Sequence, residues 1–160
     1  MDSRIQRKVA DIVANFIEIV QDLNRELSQE GLYFRFEGYI ETWRAYLELT
    51  DVMVDEMFVL SKELLAWSVY FEEVMVWVSW RLSTEQNKLL YFKSFYESVS
   101  VTHPEFAKIK LIYETAERLQ RKLRLVLKHL KSQQKAFRRA HEDLTNLYIT
   151  QMNKQMNVFE

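Results

Sequence analysis

The sequence contains almost none of the residues that break helices or cross-link chains. Its 160 residues include two Gly, one Pro and no Cys, whereas Gly and Pro usually make up about 7% and 5%. So few turn residues exclude collagen-like, linker-like and loop-rich all-β chains. The absence of Cys excludes disulfides, thiolate metal sites and thiol nucleophiles, and it fits a reducing compartment.

A long uncharged hydrophobic run is also missing. The N-terminal residues carry no apolar signal core, which argues against secretion. In the most apolar region, residues 52–82, charged side chains interrupt every window of about 20 residues, so no membrane span is expected. We therefore predict a cytoplasmic protein.

What the sequence does contain suits a folded chain. Apolar residues make up 48%, and 22 basic against 23 acidic residues give a formal charge of −1. A chain of this length buries about 68–70% of its unfolded surface when it folds as one domain. We predict a single domain over residues 1–160.

The few breakers define the first predicted elements. Apolar residues at steps of three and four predict a helix from Asp2 to about Gln29. The two glycines at 31 and 38 bracket an aromatic-rich connector. Residues 39–82 lack Gly and Pro, but Thr50 and Asp51 could recap the chain, so one helix or two stays open.

Two further helices complete the predicted fold. The spacing from Ser83 to Gln86 fits a capping box and predicts a shorter helix to about Ser98. A cap at Thr102 followed by Pro104 predicts the last helix, from Pro104 to about Tyr148 or beyond. Two long and two shorter helices with short connections predict an all-α fold, an elongated antiparallel bundle of about four helices.

No motif for catalysis or metal binding is visible. None of the three histidines, at 103, 129 and 141, belongs to the Glu-x-x-His pattern of di-iron bundles or to His-Glu-x-x-His. Two glycines cannot form a phosphate-binding loop, and Gly-x-Ser-x-Gly is absent. We predict no catalytic residue, no cofactor, no metal site and no enzymatic activity.

One short segment resembles a known family. Arg124-Leu-Val-Leu-Lys-His129 places an Arg and a His with four residues between them. The segment resembles the motif of the HEPN ribonucleases, in which this pair lies near a dimer interface and attacks RNA. It covers six of 160 residues, and Leu125 stands where that family often has a polar residue. The resemblance implies an RNA-cleaving role for Arg124 and His129 and is the third interpretation of the chain.

Positive charge is concentrated near the C-terminal end. Residues 118–139 contain nine Lys or Arg and no Asp or Glu. Seven of the nine share one side of a helical wheel, which we call the basic row: Arg121, Arg124, Lys128, Lys131, Lys135, Arg138 and Arg139.

A row of like charges repels itself unless something compensates it. The acidic residues of segment 39–82, Glu63 and Glu73 among them, could do so through exposed ion pairs, each worth about 0–1 kcal/mol. A nucleic-acid backbone could do so through phosphate contacts. An acidic protein and an anionic membrane surface are the remaining options. The balance favours internal pairing slightly.

The aromatic content indicates a second kind of surface. Between residues 52 and 82 the predicted helix is apolar on nearly every side, which is typical of a helix at the centre of a bundle or covered by another chain. Most of the 22 aromatic side chains are expected in the core. Large amphipathic rings also serve helix–helix interfaces, and the candidate protein interface consists of Trp67, Tyr70, Trp77 and Trp80.

Together these features predict a non-enzymatic interaction or assembly protein with a structural, adaptor or inhibitory role. It would associate with itself or dock on another protein through the aromatic central helix. The alternative is a nucleic-acid-binding helical protein, or a small subunit of a nucleoprotein complex, that uses the basic row.

Overall fold

The structure is a computed structural model and describes residues 18, 21, 22, 24, 25, 35, 36, 38–50 and 53–158. Within these ranges all regular secondary structure is helical, which confirms the predicted all-α class. Three helices have defined bounds in this part of the chain: α1 Tyr39–Glu48, α2 Val54–Ser98 and α3 Phe106–Val158.

The region 39–82, left open between one helix and two, contains a break. The N–H of Leu49 still bonds the carbonyl of Tyr46, at 3.4 Å, but Leu49 itself is extended, with φ −67° and ψ 138°. α1 therefore ends at Glu48, and α2 begins at Val54. The predicted helix from Asp2 to about Gln29 lies outside the described residues, apart from five helical positions between 18 and 25.

The predicted helix start at Ser83 is wrong, because α2 continues through it for 45 residues. The Thr84 hydroxyl donates to the carbonyl of Trp80 at 3.2 Å. Glu85 pairs with Arg81 one turn earlier and with Lys88 one turn later. These polar side chains bond within a continuing helix instead of capping a new one. The described residues hold three bounded helices, whereas about four were predicted, one of them, from Asp2 to about Gln29, mostly outside these residues.

The last predicted helix is confirmed, with a different cap. α3 begins at Phe106, two residues after Pro104. The ring Nδ1 of His103 accepts the N–H of Glu105 at 3.1 Å, and the His103 carbonyl accepts that of Phe106 at 3.0 Å. His103 therefore caps the start of this helix, the role that the sequence analysis assigned to Thr102.

Contacts divide the chain into two compact units, which we describe one at a time. The first unit comprises Met1–Phe34 and Met75–His129, and the second comprises Arg35–Val74 and Leu130–Glu160. Both long helices contribute residues to each unit. The prediction of a single domain stays a prediction.

In the second unit, α2 and α3 run antiparallel around a cluster of rings. Gln134 of α3 bonds Glu72 of α2, and His141, farther along α3, contacts the carbonyl of Ser61, earlier in α2. The rings of Phe71 and Phe137 meet edge to face, with centroids 5.3 Å apart. The remaining rings of this aromatic cluster are those of Phe36, Tyr39, Trp43 and Trp67.

One glycine allows the chain to enter this cluster. Gly38 has φ 94°, in the left-handed region that glycine adopts without steric cost. Its carbonyl accepts the N–H and the hydroxyl of Thr42, at 3.0 and 3.1 Å. α1 therefore starts directly after the turn, and Tyr39, its first residue, is 2% exposed.

In the first unit, α2 and α3 also pack together. Tyr96, near the end of α2, stacks on Tyr113 of α3 with centroids 4.6 Å apart. The buried apolar side chains come from one side of each helix: Val78, Ala116, Leu119, Leu123 and Val126.

Candidate functional site

The first unit exposes a continuous uncharged surface on α2. Its residues recur at steps of three and four, which places them on one side of the helix. All of them are exposed. We call this surface the outer face, and it consists of Val76, Trp80, Ser83, Asn87, Leu90 and Tyr91.

The outer face is unusual because its apolar residues are large and open to solvent. The exposed fractions are 72% for Val76, 61% for Trp80, 74% for Leu90 and 66% for Tyr91. The ring of Phe95, 46% exposed, lies 5.9 Å from that of Tyr91 and extends the surface. Contiguous exposed apolar patches on soluble proteins mark interaction sites.

On the opposite side of the same helix segment, charged side chains are buried. Glu85 is 1% exposed and Arg81 is 9% exposed. The Glu85 Oε1 lies 3.2 Å from Arg81 Nε and 3.2 Å from Lys88 Nζ. We call these three residues the buried charge cluster. Burying a carboxylate costs free energy unless it has such partners. The sequence did not predict this cluster, because the segment from Ser83 to Gln86 was assigned to a helix start.

The four predicted interface residues fall into different environments. Trp67 and Tyr70 are half-buried at the edge of the aromatic cluster of the second unit, with ring centroids 5.8 Å apart. The Tyr70 hydroxyl also accepts the N–H of Arg35 at 3.1 Å. In the first unit Trp77 is half-buried and Trp80 is exposed, so of the four only Trp80 presents most of its surface to solvent.

The seven residues of the basic row all lie on the solvent-exposed side of α3. In the first unit, Arg121 pairs with Glu117 on its own helix at 3.2 Å. In the second unit, Arg138 pairs with Glu72 at 3.3 Å. Among the described residues, the other five cations have no carboxylate within ion-pair distance: Arg124, Lys128, Lys131, Lys135 and Arg139.

Among the described residues, the pairing expected between the basic row and the acidic residues of 39–82 is therefore limited to one site. There Glu72 Oε1 accepts hydrogen bonds from Gln134 at 2.9 Å and from Arg138 at 3.3 Å. Glu63 and Glu73, named above as partners, are exposed and make no ion pair with a described residue. Most of the basic row therefore has no carboxylate partner in the part of the chain that the structure describes.

Arg124 and His129 do not lie side by side on α3. The helix is continuous from Phe106 to Val158, and a five-residue step on a regular helix separates two side chains by about 140°. Arg124 is exposed and His129 is half-buried, and burial lowers the pKa of His129. In one copy of the chain, these residues do not converge on a common point.

Within the described ranges, no three His, Cys, Asp or Glu residues are close enough to hold a metal ion. No described helix has an apolar stretch that could cross a bilayer. Comparisons with protein-family models, with curated proteins and with solved structures find no match to this chain.

Proposed function

We propose that this chain is a non-enzymatic assembly protein of the cytoplasm that docks on a second copy of itself through the outer face of α2. The exposure of Trp80, Leu90 and Tyr91 carries the proposal. Three large apolar side chains held in water by a regular helix gain free energy when a partner covers them. Trp and Tyr are also the residue types that dominate binding energy at protein interfaces.

Glutamine substitution at Trp80 and Tyr91 tests the proposal. Light scattering at low micromolar concentration should show wild-type chains larger than a monomer, and Trp80→Gln with Tyr91→Gln should lower the average mass. Because both side chains are mostly exposed, the free energy of unfolding should change by less than about 0.5 kcal/mol for each substitution.

Ile149→Gln with Met156→Gln is the matched control. These residues are 50% and 65% exposed and lie on α3 in the second unit, so the pair removes similar apolar surface elsewhere. The control should keep the wild-type mass. A monomeric wild type whose Trp80 fluorescence is open to a small quencher would contradict the proposal.

A second candidate function is binding of a nucleic-acid backbone by the basic row. The five cations without a carboxylate partner favour it, because unpaired cations are free to displace counterions from phosphates. Replacing Arg124, Lys128, Lys131 and Lys135 by Gln should weaken binding to unrelated oligonucleotides similarly. It should also flatten the salt dependence of binding, by about 0.7 to 0.9 in slope per lost contact. A wild type that purifies without nucleic acid and binds no oligonucleotide at low salt would contradict it.

A further inference from the structure

A groove in the second unit has an apolar floor and an acidic rim. It lies between the end of α1 and the beginning of α2 and has a volume of about 580 Å³, within the range of about 300–1,000 Å³ typical of binding pockets. Five apolar residues line it: Ala45, Leu49, Met53, Val59 and Leu60. Four carboxylates surround them: Glu48, Asp55, Glu56 and Glu63.

The four carboxylates of this acidic groove are not compensated. No described cation lies within ion-pair distance of any of them, and the lining contains no Lys or Arg. Asp55 and Glu56 stand in the first turn of α2, where the helix dipole favours a negative charge. Glu48 and Glu63 have no such role, so their charges are available to a ligand.

The same chain carries a surface of complementary chemistry in its first unit. Leu125 of α3 is 55% exposed. Arg121 and Lys128 lie four residues before it and three after it, on the same side of the helix, and Arg124 is adjacent in sequence. We call these four residues the cationic knob, because an apolar side chain lies among three positive charges. Two of the cations, Arg124 and Lys128, have no acidic partner among the described residues.

We propose that the acidic groove binds the cationic knob of a second copy of this chain. Leu125 enters the apolar floor formed by Met53 and Val59, and Arg124 and Lys128 meet the carboxylates at the rim. Charge complementarity identifies the occupant, since neither surface has an oppositely charged partner for these side chains among the described residues of its own chain. A polyanion would fit the knob worse, because phosphate offers no apolar place for Leu125.

This interface is heterologous, and that has a consequence for assembly. The groove of one copy binds the knob of the next, so a pair of chains still has one free groove and one free knob. Such contacts continue into a ring or an open filament. The inference goes beyond the proposed function because it uses neither Trp80 nor Tyr91.

Charge reversal with complementation tests the proposal. All chains carry Trp80→Gln and Tyr91→Gln, so association through the outer face does not contribute and either proposal can fail without the other. At low salt, sedimentation should show a mass of this background chain that grows with concentration. Glu48→Lys with Glu63→Lys, the groove variant, should weaken association at least about tenfold, as should Arg124→Glu with Lys128→Glu, the knob variant.

Mixing the two variants gives the decisive result. The groove variant keeps its knob and the knob variant keeps its groove, and the two reversed surfaces are complementary to each other, so an equimolar mixture should regain association with a mass that grows with concentration. Recovery of binding in the mixture also shows that both variants are folded. A mixture that stays monomeric, a background chain that never associates, or a variant that associates like the background would each overturn the proposal.

Three controls separate docking from general charge attraction. Glu73→Lys with Glu142→Lys and Lys110→Glu with Lys154→Glu make the same changes of charge at exposed positions outside both surfaces, and both should keep the growth in mass. Leu125→Ser leaves the charge unchanged and should still weaken association by about tenfold. The chain could instead show no growth in mass but bind oligonucleotides through the knob, before and after Leu125→Ser. That result would assign the knob to nucleic acid.

Discussion

The two units place aromatic and charged side chains in opposite ways. In the second unit the rings are inside: Phe71 and Phe137 are 1% and 0% exposed. In the first unit Trp80 and Tyr91 are 61% and 66% exposed, while Glu85, with 1% exposed, is inside. Both arrangements occur on the same two helices, so composition alone does not decide which residue types fill a core.

The difference follows from what packs on α2 in each unit. In the second unit Phe36 and Tyr39 lie over Phe71, with ring centroids 6.1 and 5.6 Å away, so the rings have a third layer to contact. In the first unit no described residue covers the outer face, and Trp80 remains in solvent. The outer face is therefore left uncovered by the described residues of its unit, whereas Phe71 and Phe137 are buried by the rings that pack on them.

Removing the central ring of the second unit should have the largest effect on stability. Phe137 is fully buried and its ring lies 5.1 Å from Trp43, 5.3 Å from Phe71 and 6.1 Å from Tyr39. Phe137→Ala should lower the free energy of unfolding by about 4 kcal/mol, since it leaves a cavity among rigid rings. Urea unfolding measures it, and Phe95→Ala is the exposed control in the first unit. Similar losses for both would remove the distinction between the units.

Breaking the buried charge cluster should have the next largest effect. Glu85→Ala leaves the buried Arg81 without the carboxylate 3.2 Å from its Nε, and we expect a loss of about 3 kcal/mol. The double variant Arg81→Leu with Glu85→Leu removes both charges and should lose less than Glu85→Ala alone. A double variant less stable than Glu85→Ala would mean that the ion pair itself contributes net stability.

The sequence predicted the elements with a clear periodic pattern. α3 has one apolar stripe, whose residues Leu123, Leu130 and Phe137 are buried, and the residues of the basic row are exposed. α2 has apolar residues on every side, so no stripe could distinguish the buried Phe71 from the exposed Trp80. Only the neighbouring elements make that choice, and a single sequence does not reveal them.

Two errors at one position have the same cause. The spacing from Ser83 to Gln86 fits a helix start, but it fits equally a helix whose polar side chains bond along its own length. The partners decide between these possibilities: Trp80 for Thr84, and Arg81 with Lys88 for Glu85. A buried carboxylate paired at i−4 and i+3 has the same sequence pattern as an exposed one, so the cluster could not be predicted either.

An alkaline pH should weaken the second unit through Tyr39. Burial raises the pKa of Tyr39 from 10.0 to about 12. Between these values the unfolded chain has released a proton that the folded chain keeps, so stability falls as the pH rises, by at most about 3 kcal/mol in all. Tyr39→Phe should remove this part of the fall, measured by urea unfolding at a series of pH values.

Tyr91→Phe, at an exposed ring, is the matched control for Tyr39→Phe. Burial, and secondarily the charge of Asp143, also raises the pKa of Tyr46, so both chains keep that smaller contribution to the alkaline fall. A Tyr39→Phe chain that loses stability as steeply as the wild type would mean that Tyr39 does not stay neutral inside the ring cluster.

An acidic pH should weaken the first unit through His129, with the smallest effect of the four. Burial lowers the pKa of His129 below its ordinary 6.5. Below 6.5 the unfolded chain binds a proton that the folded chain still excludes, so stability falls with the pH until His129 titrates in the folded chain as well. Because the side chain is only half-buried, solvent limits the size of this fall.

His129→Gln should flatten the difference in stability between neutral and mildly acidic pH, measured by urea unfolding. His103 and His141 are present in both chains, so their contributions cancel between the two curves. Parallel curves for the wild type and the variant would show that His129 is solvated, and the acid sensitivity of the first unit would then have to come from another group.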